Sequence, residues 1–133
     1  EDYPTNLRFH MLRIQLYHVM GVSFEVMEKA CQDILALDPR NIAIMNNYAY
    51  LLATNKGDLN KAESMSRYTI QAEPDNPTFL DTYAWILYLQ KEYQLAKIYI
   101  QKALQHADKK DTTEIEKHYK AILKKTKWKS FAT

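Results

Sequence analysis

The chain has 133 residues, 26% charged and 47% hydrophobic, with a net charge of +2. That length suits one domain that buries roughly two-thirds of its unfolded surface. One cysteine excludes an internal disulfide, two glycines exclude a Gly-rich phosphate loop, and no apolar run reaches the length of about 18 that a membrane span needs.

In chain order, residues 1–6 read as a leading segment. The chain starts at Glu1 and not Met, which predicts that an upstream segment precedes it, and residues 1–30 do not read as a signal peptide. Thr5 or Asn6 can cap a first helix over about 6–20. That helix carries Leu7, Met11, Ile14 and His18 on one stripe and Phe9, Leu12, Leu16 and Val19 on another. It is apolar around more of its circumference than a surface helix tolerates. Either it packs on the next two helices, or an upstream repeat or a second molecule covers it. Gly21 breaks the helix and Ser23 caps the next, over about 24–37, which Asp38-Pro39 stops.

Asn41 starts a third helix over about 42–55. Lys56-Gly57-Asp58 is its turn, with Gly57 expected to take the positive φ, and Asp58 or Asn60 caps a fourth helix over about 59–72. After Pro74-Asp75-Asn76, Pro77 stands near the first position of a fifth helix over about 78–90. A sixth follows over about 93–107. Thr112 or Thr113 caps a last helix to about 127, with Ile115, Tyr119, Ile122 and Leu123 on one face and Lys117, Lys120, Lys124, Lys125 and Lys127 on the other. This reads as a capping helix, with Trp128 and Phe131 after it tucking back or fraying.

The pattern repeats. Ala49 precedes Ala84 by 35 residues, Ala62 precedes Ala96 by 34, and Met27 precedes Ala62 by 35. Leu59 matches Tyr93 and Thr69 matches Ala103; Phe24 and Ile34 stand in the same places one copy earlier. Pro39 and Pro74 are 35 apart. Small residues at Ala84, Ala96 and Ala103 fall where two helices cross closely, among Leu80, Tyr83, Leu87, Tyr93, Tyr99 and Ile100. A period near 35 with an internal helix–turn–helix signals a stacked helical repeat.

This pattern resembles the tetratricopeptide repeat (TPR) family over residues 8–107, most specifically in the last two copies. The stretch NNYAYLLA…GDLNKAE…LDTYAWILY…YQLAKIYI also resembles the C-terminal repeats of longer bacterial TPR proteins. The resemblance implies an all-α right-handed superhelix of three antiparallel helix–turn–helix repeats (8–41, 42–76, 77–110) and a capping helix (112–127), forming one domain. It also implies a periplasmic or outer-membrane-associated place in a bacterium. Three departures stand out. The second repeat holds one extra residue before Ala62. The first has Gln15 and Ile34 where small residues are usual, which predicts a wider crossing. The third ends in Asp108 and not Pro.

No cofactor or metal site is expected. Cys-x-x-Cys and His-Glu-x-x-His are missing, and His10 and His18 are two helical turns apart, about 12 Å, too far for one ion. Cys31 sits mid-helix and reads as a buried thiol. No acid pair or triad is present, so no catalytic residue is assigned.

In the family the first helices line a concave groove. That implies binding positions at Phe9, Leu12 and Leu16, at Asn46, Asn47 and Tyr50, and at Thr78, Asp81, Trp85 and Tyr88. Asn can pair with both sides of an extended peptide, and Trp and Tyr are frequent interface anchors. The alternative for Tyr50 and Trp85 is packing between neighbouring first helices. Family members that grip a C-terminal carboxylate use Lys or Arg here. The matching positions hold Leu12, Leu16, Asn47, Thr78 and Thr82; only Asn47 fits, which argues against carboxylate capture.

The expectation is a non-catalytic module that binds a protein or peptide partner through the concave face, with no small-molecule substrate. A homo-oligomerisation unit using the first helix is the alternative. Nucleic-acid binding is weaker. Residues 1–100 carry 9 basic and 12 acidic side chains and residues 101–133 carry 9 and 4, so the positive charge lies in the tail and not on the inner faces.

Overall fold

Three turns of the chain take up the same backbone shape at a spacing of 35 residues. Gly21, Lys56 and Lys91 all lie in the left-handed region, with φ of 67°, 57° and 68°. Behind each, the next residue's N–H closes on a carbonyl five residues earlier: Val22 on Tyr17 (3.3 Å), Gly57 on Leu52 (2.7 Å) and Glu92 on Leu87 (2.8 Å). This bond satisfies a carbonyl left open at the end of a helix and reverses the chain. The left-handed residue of the second turn is therefore Lys56, one before the glycine expected there. Gly57 is needed for a different reason: a Cβ on it would lie 2.9 Å from Leu52 Cδ2 and 3.0 Å from Leu52 O.

The computed structural model describes residues 7–132, and side chains within 8–126 apart from position 111. The leading segment with Thr5 and Asn6, and the side chains of Leu7, Trp128 and Phe131, lie outside the described residues. Seven helices and no strand are found among those described: α1 (Leu7–Met20), α2 (Phe24–Leu37), α3 (Ile42–Thr54), α4 (Leu59–Ala72), α5 (Pro77–Leu89), α6 (Tyr93–His106) and α7 (Thr113–Ala132), with a 3-10 turn at Lys109–Asp111. The helix α7 runs five residues beyond its expected end.

Caps explain most of the starts. The side chains of Ser23, Asn41, Asp58 and Asn76 each accept a hydrogen bond from a backbone N–H in the first turn of α2, α3, α4 and α5, and Pro77 opens α5. The extra residue of the second repeat is Asp58 itself. The turn before α6 lacks that position, Glu92 takes the place of the cap, and α6 opens with no side-chain hydrogen bond to its first turn.

The helices pair as α1/α2, α3/α4 and α5/α6, and the pairs stack into a right-handed superhelix closed by α7. Helix α5 touches both α3 and α7, while α4 and α6 make no comparable contact, so the first helices form the inner layer. Within pairs, crossings tighten along the chain. Ala49 with Ala62 and Thr69, and Ala84 with Ala96 and Ala103, are fully buried. In the first pair the matching positions hold Ile14, the half-buried Met27, and Ile34. The crossing residue there is Ile14, since Gln15 faces solvent. The bulkier side chains separate α1 from α2, and a cleft of about 430 Å³ opens beside them.

Between pairs a second device recurs at the same spacing. Tyr48 donates its hydroxyl to Glu28 Oε2 (2.8 Å), and Tyr83 donates to Glu63 Oε2 (2.9 Å), each reaching back to the second helix of the preceding repeat. Burial and then this hydrogen bond push the Tyr83 phenol up to about 12.

Two outcomes follow for urea unfolding. Ala84→Leu or Ala103→Arg should lower stability by about 1–3 kcal/mol or more through overpacking, and unchanged midpoints would show that the crossings have slack. Lys56→Gly and Lys91→Gly should each raise it by about 0.5–1 kcal/mol, because glycine escapes the Cβ penalty of the left-handed region but loses more chain entropy on folding.

Candidate functional site: an aromatic and histidine cluster on the inner layer

The inner layer draws four expected binding residues around one side chain that was not among them. His118, from the apolar stripe of α7, is buried and places Nδ1 2.7 Å from Asp81 Oδ1 on α5. Its ring stacks on Trp85, with centroids 4.2 Å apart and planes 21° apart. Tyr88 stacks on Trp85 as well, at 4.5 Å and 14°. Tyr50, from α3, leans toward His118 at 6.2 Å. Three successive first-layer helices thus contribute to one patch. Its packing follows from the turn chemistry, because caps at Asn41 and Asn76 start α3 and α5 in the same phase. Tyr50 and Trp85 then occupy the same position 35 residues apart.

The patch carries negative character. Burial first, then Glu114 and Asp81, raise the Tyr50 phenol. Asp81 is buried with His118 as its polar partner. Asn46 stands in Asp81's position one repeat earlier, is buried, and has an Oδ1 without a hydrogen-bond partner. Asn47 and Thr78 are exposed, and Tyr50, Trp85 and Tyr88 are half-buried. Stacking on Tyr88 and His118 takes up much of the Trp85 ring, so this half-buried tryptophan packs between α5 and α7.

The first repeat's positions fall elsewhere. Phe9 and Leu16 share the register of Ile44 and Leu51, and of Phe79 and Ile86, 35 and 70 residues on. They lie on the end face of the stack. Leu12 shares the register of Asn47 and Thr82, at the border of that face. All three are exposed. The Tyr50 register on α1 is held by Gln15.

Cys31 is buried, and burial followed by the charge of Glu28 pushes its thiol up to about 11, the opposite of an activated nucleophile. His10 is buried while His18 is exposed, so they do not share a face. Among the described residues no three His, Cys, Asp or Glu side chains are grouped to hold a metal, and no helix is long and apolar enough to cross a membrane.

No family model matches the chain. A TPR repeat-containing protein of Pseudomonas aeruginosa is 29% identical over 105 residues, 79% of this chain and 18% of that protein's length. The NMR structure of the first TPR domain of human RPAP3 superposes with a TM-score of 0.77 at 14% identity, covering 98% of this chain and 99% of that domain. The chain has the fold of a tetratricopeptide-repeat array. The TPR2B domain of yeast Sti1, in a complex with pHsp70, superposes with a TM-score of 0.73 at 18% identity, covering 89% of this array and 96% of that chain.

The Asp81–His118 bond ties the capping helix of the array to its third repeat. Asp81→Asn and His118→Leu should each destabilise by about 1–3 kcal/mol, with a coupling of about 1–2 kcal/mol in a double-mutant cycle. Strictly additive losses in urea unfolding would show that the pair contributes nothing of its own.

Proposed function

We propose that this TPR array is a non-catalytic interaction module whose inner layer binds an extended segment of a protein partner. The observation that carries the reading is the patch on three adjacent inner helices: Tyr50, Trp85 and Tyr88 half-exposed beside the exposed Asn47 and Thr78. Rigid aromatic side chains supply contact area at low entropic cost, and amide and hydroxyl groups pair with peptide backbone. Two structural relatives support a role of this class by their form, one of them being a TPR domain in complex with pHsp70.

The chemistry of the patch narrows the partner. Asp81 is held by His118, and Glu114, paired with Lys117 at 3.7 Å, lies close enough to raise the Tyr50 phenol. A bound segment with apolar, aromatic or basic side chains suits it, and a terminal carboxylate does not, because an anion needs cationic donors.

Panning a random peptide library on the array tests this. Selected peptides should lose at least about tenfold in affinity, or ~1.4 kcal/mol, to Tyr50→Ala and Asn47→Ala, and little to Ser64→Ala on the outer layer. Peptides that bind all variants equally would move the binding surface away from the inner layer.

A further inference from the structure

The charge of this chain is divided along its length. Residues 1–116 carry 12 basic and 16 acidic side chains, and residues 117–133 carry six lysines and no acid. All six lysines lie on α7, so one helix holds the positive excess beside a body of net charge −4.

Packing sorts the sides of that helix. Ile115, His118, Ile122 and Thr126 are buried on one side, against α5 and α6. Lys117, Lys120 and Lys124 are exposed on the other, at spacings of three and four residues that align them along the axis over about 10 Å. Little of this charge is used within the molecule. Lys117 lies 3.7 Å from Glu114, but both are exposed and such pairs are weak. Lys125 stands over the Tyr93 ring at 5.7 Å. Lys120 and Lys124 join no ion pair among the described residues. Elsewhere the cations are matched: Arg13 and Lys29 pair with Asp33, Arg67 with Glu63, and Lys102 with Asp75.

The form of this face selects its partner. The lysines stand in a straight row on the outward side of the last helix, which a flat surface can meet along its whole length. A nucleic-acid strand is held instead in a basic groove with aromatic platforms. Here the aromatic patch lies on the inner layer, beside Asp81 and Glu114. Every cation of α7 is lysine, a point charge that attracts without the paired geometry of arginine. No large apolar residue is exposed between positions 113 and 125, so contact rests on charge and not on insertion.

We propose that Lys117, Lys120, Lys124 and Lys125 form a docking face for an anionic lipid surface. The capping helix lies along the headgroups, and the acidic body faces away from them. Lysines on an amphipathic helix each add to attraction of this kind. This goes beyond the inner-layer reading and does not depend on it.

Sedimentation of the 133-residue chain with phosphatidylcholine vesicles, plain or containing about one-third phosphatidylglycerol, tests the assignment. The anionic vesicles should bind at least about tenfold more tightly than the plain ones, and about 0.5 M salt should release the chain. Lys120→Gln with Lys124→Gln should weaken binding at least about tenfold at an unchanged urea midpoint, and Lys120→Arg with Lys124→Arg should retain it. Arg40→Gln with Lys56→Gln removes the same charge from two exposed turn positions and should cost less than about twofold. Equal losses in the two glutamine pairs would overturn the proposal, because net charge and not α7 would then set the binding. So would equal binding to both kinds of vesicle, or binding to neither. Tighter binding of nucleic acid through Lys120 and Lys124 would overturn it as well.

Discussion

A hairpin of two helices that cross at an alanine buries its own seam and leaves one apolar face open. Only another hairpin, set down in the same phase, closes that face. The rest of this molecule depends on that constraint. It requires the left-handed turn to recur at Gly21, Lys56 and Lys91, because a turn of another shape would rotate the second helix off the crossing. It requires Ala49, Ala62, Ala84, Ala96 and Ala103 to stay small, since a longer side chain would push the helices apart. It also explains the tyrosine-to-glutamate bonds from Tyr48 and Tyr83, which hold successive hairpins in register from the outer layer.

The inner layer is where this regularity yields to individual chemistry. Asn46 and Asp81 occupy one position in successive repeats, yet one has an acceptor without a partner and the other is closed by His118. Because α7 reaches Asp81 and Trp85, the capping helix serves two ends at once. It seals the apolar core with Ile115 and Ile122, and it stacks His118 on Trp85 of the inner layer.

Much of the fold was legible from spacing. The helix boundaries followed from caps and prolines with local physics, and Ser23, Asn41, Asp58 and Pro77 act as their positions predict. The misreadings share a cause: a position was judged by residue type and not by register. Gly57 drew the positive φ by being glycine, although the bond from its own N–H to Leu52 places the left-handed residue one step earlier. Gln15 was set at the first crossing, where a strict 35-residue step from Ala49 leads to Ile14. The Asp81–His118 bond was out of reach, because it joins residues 37 apart whose helices meet only once the superhelix has formed. The available clue was a histidine on the Ile115–Ile122 stripe of an otherwise apolar face.

The graded crossings also set an order of opening. The first pair meets through Ile14, Met27 and Ile34 beside an open cleft, and the last through three buried alanines under a helix pinned by a buried histidine. Neighbours in a linear stack share stability only across their common interface. Under rising temperature or mechanical pull, such a molecule peels from its N-terminal hairpin and retains α5–α7 as its last cooperative unit. The end with the open cleft is thus also the most easily remodelled, while the end held by the Asp81–His118 contact keeps its shape longest.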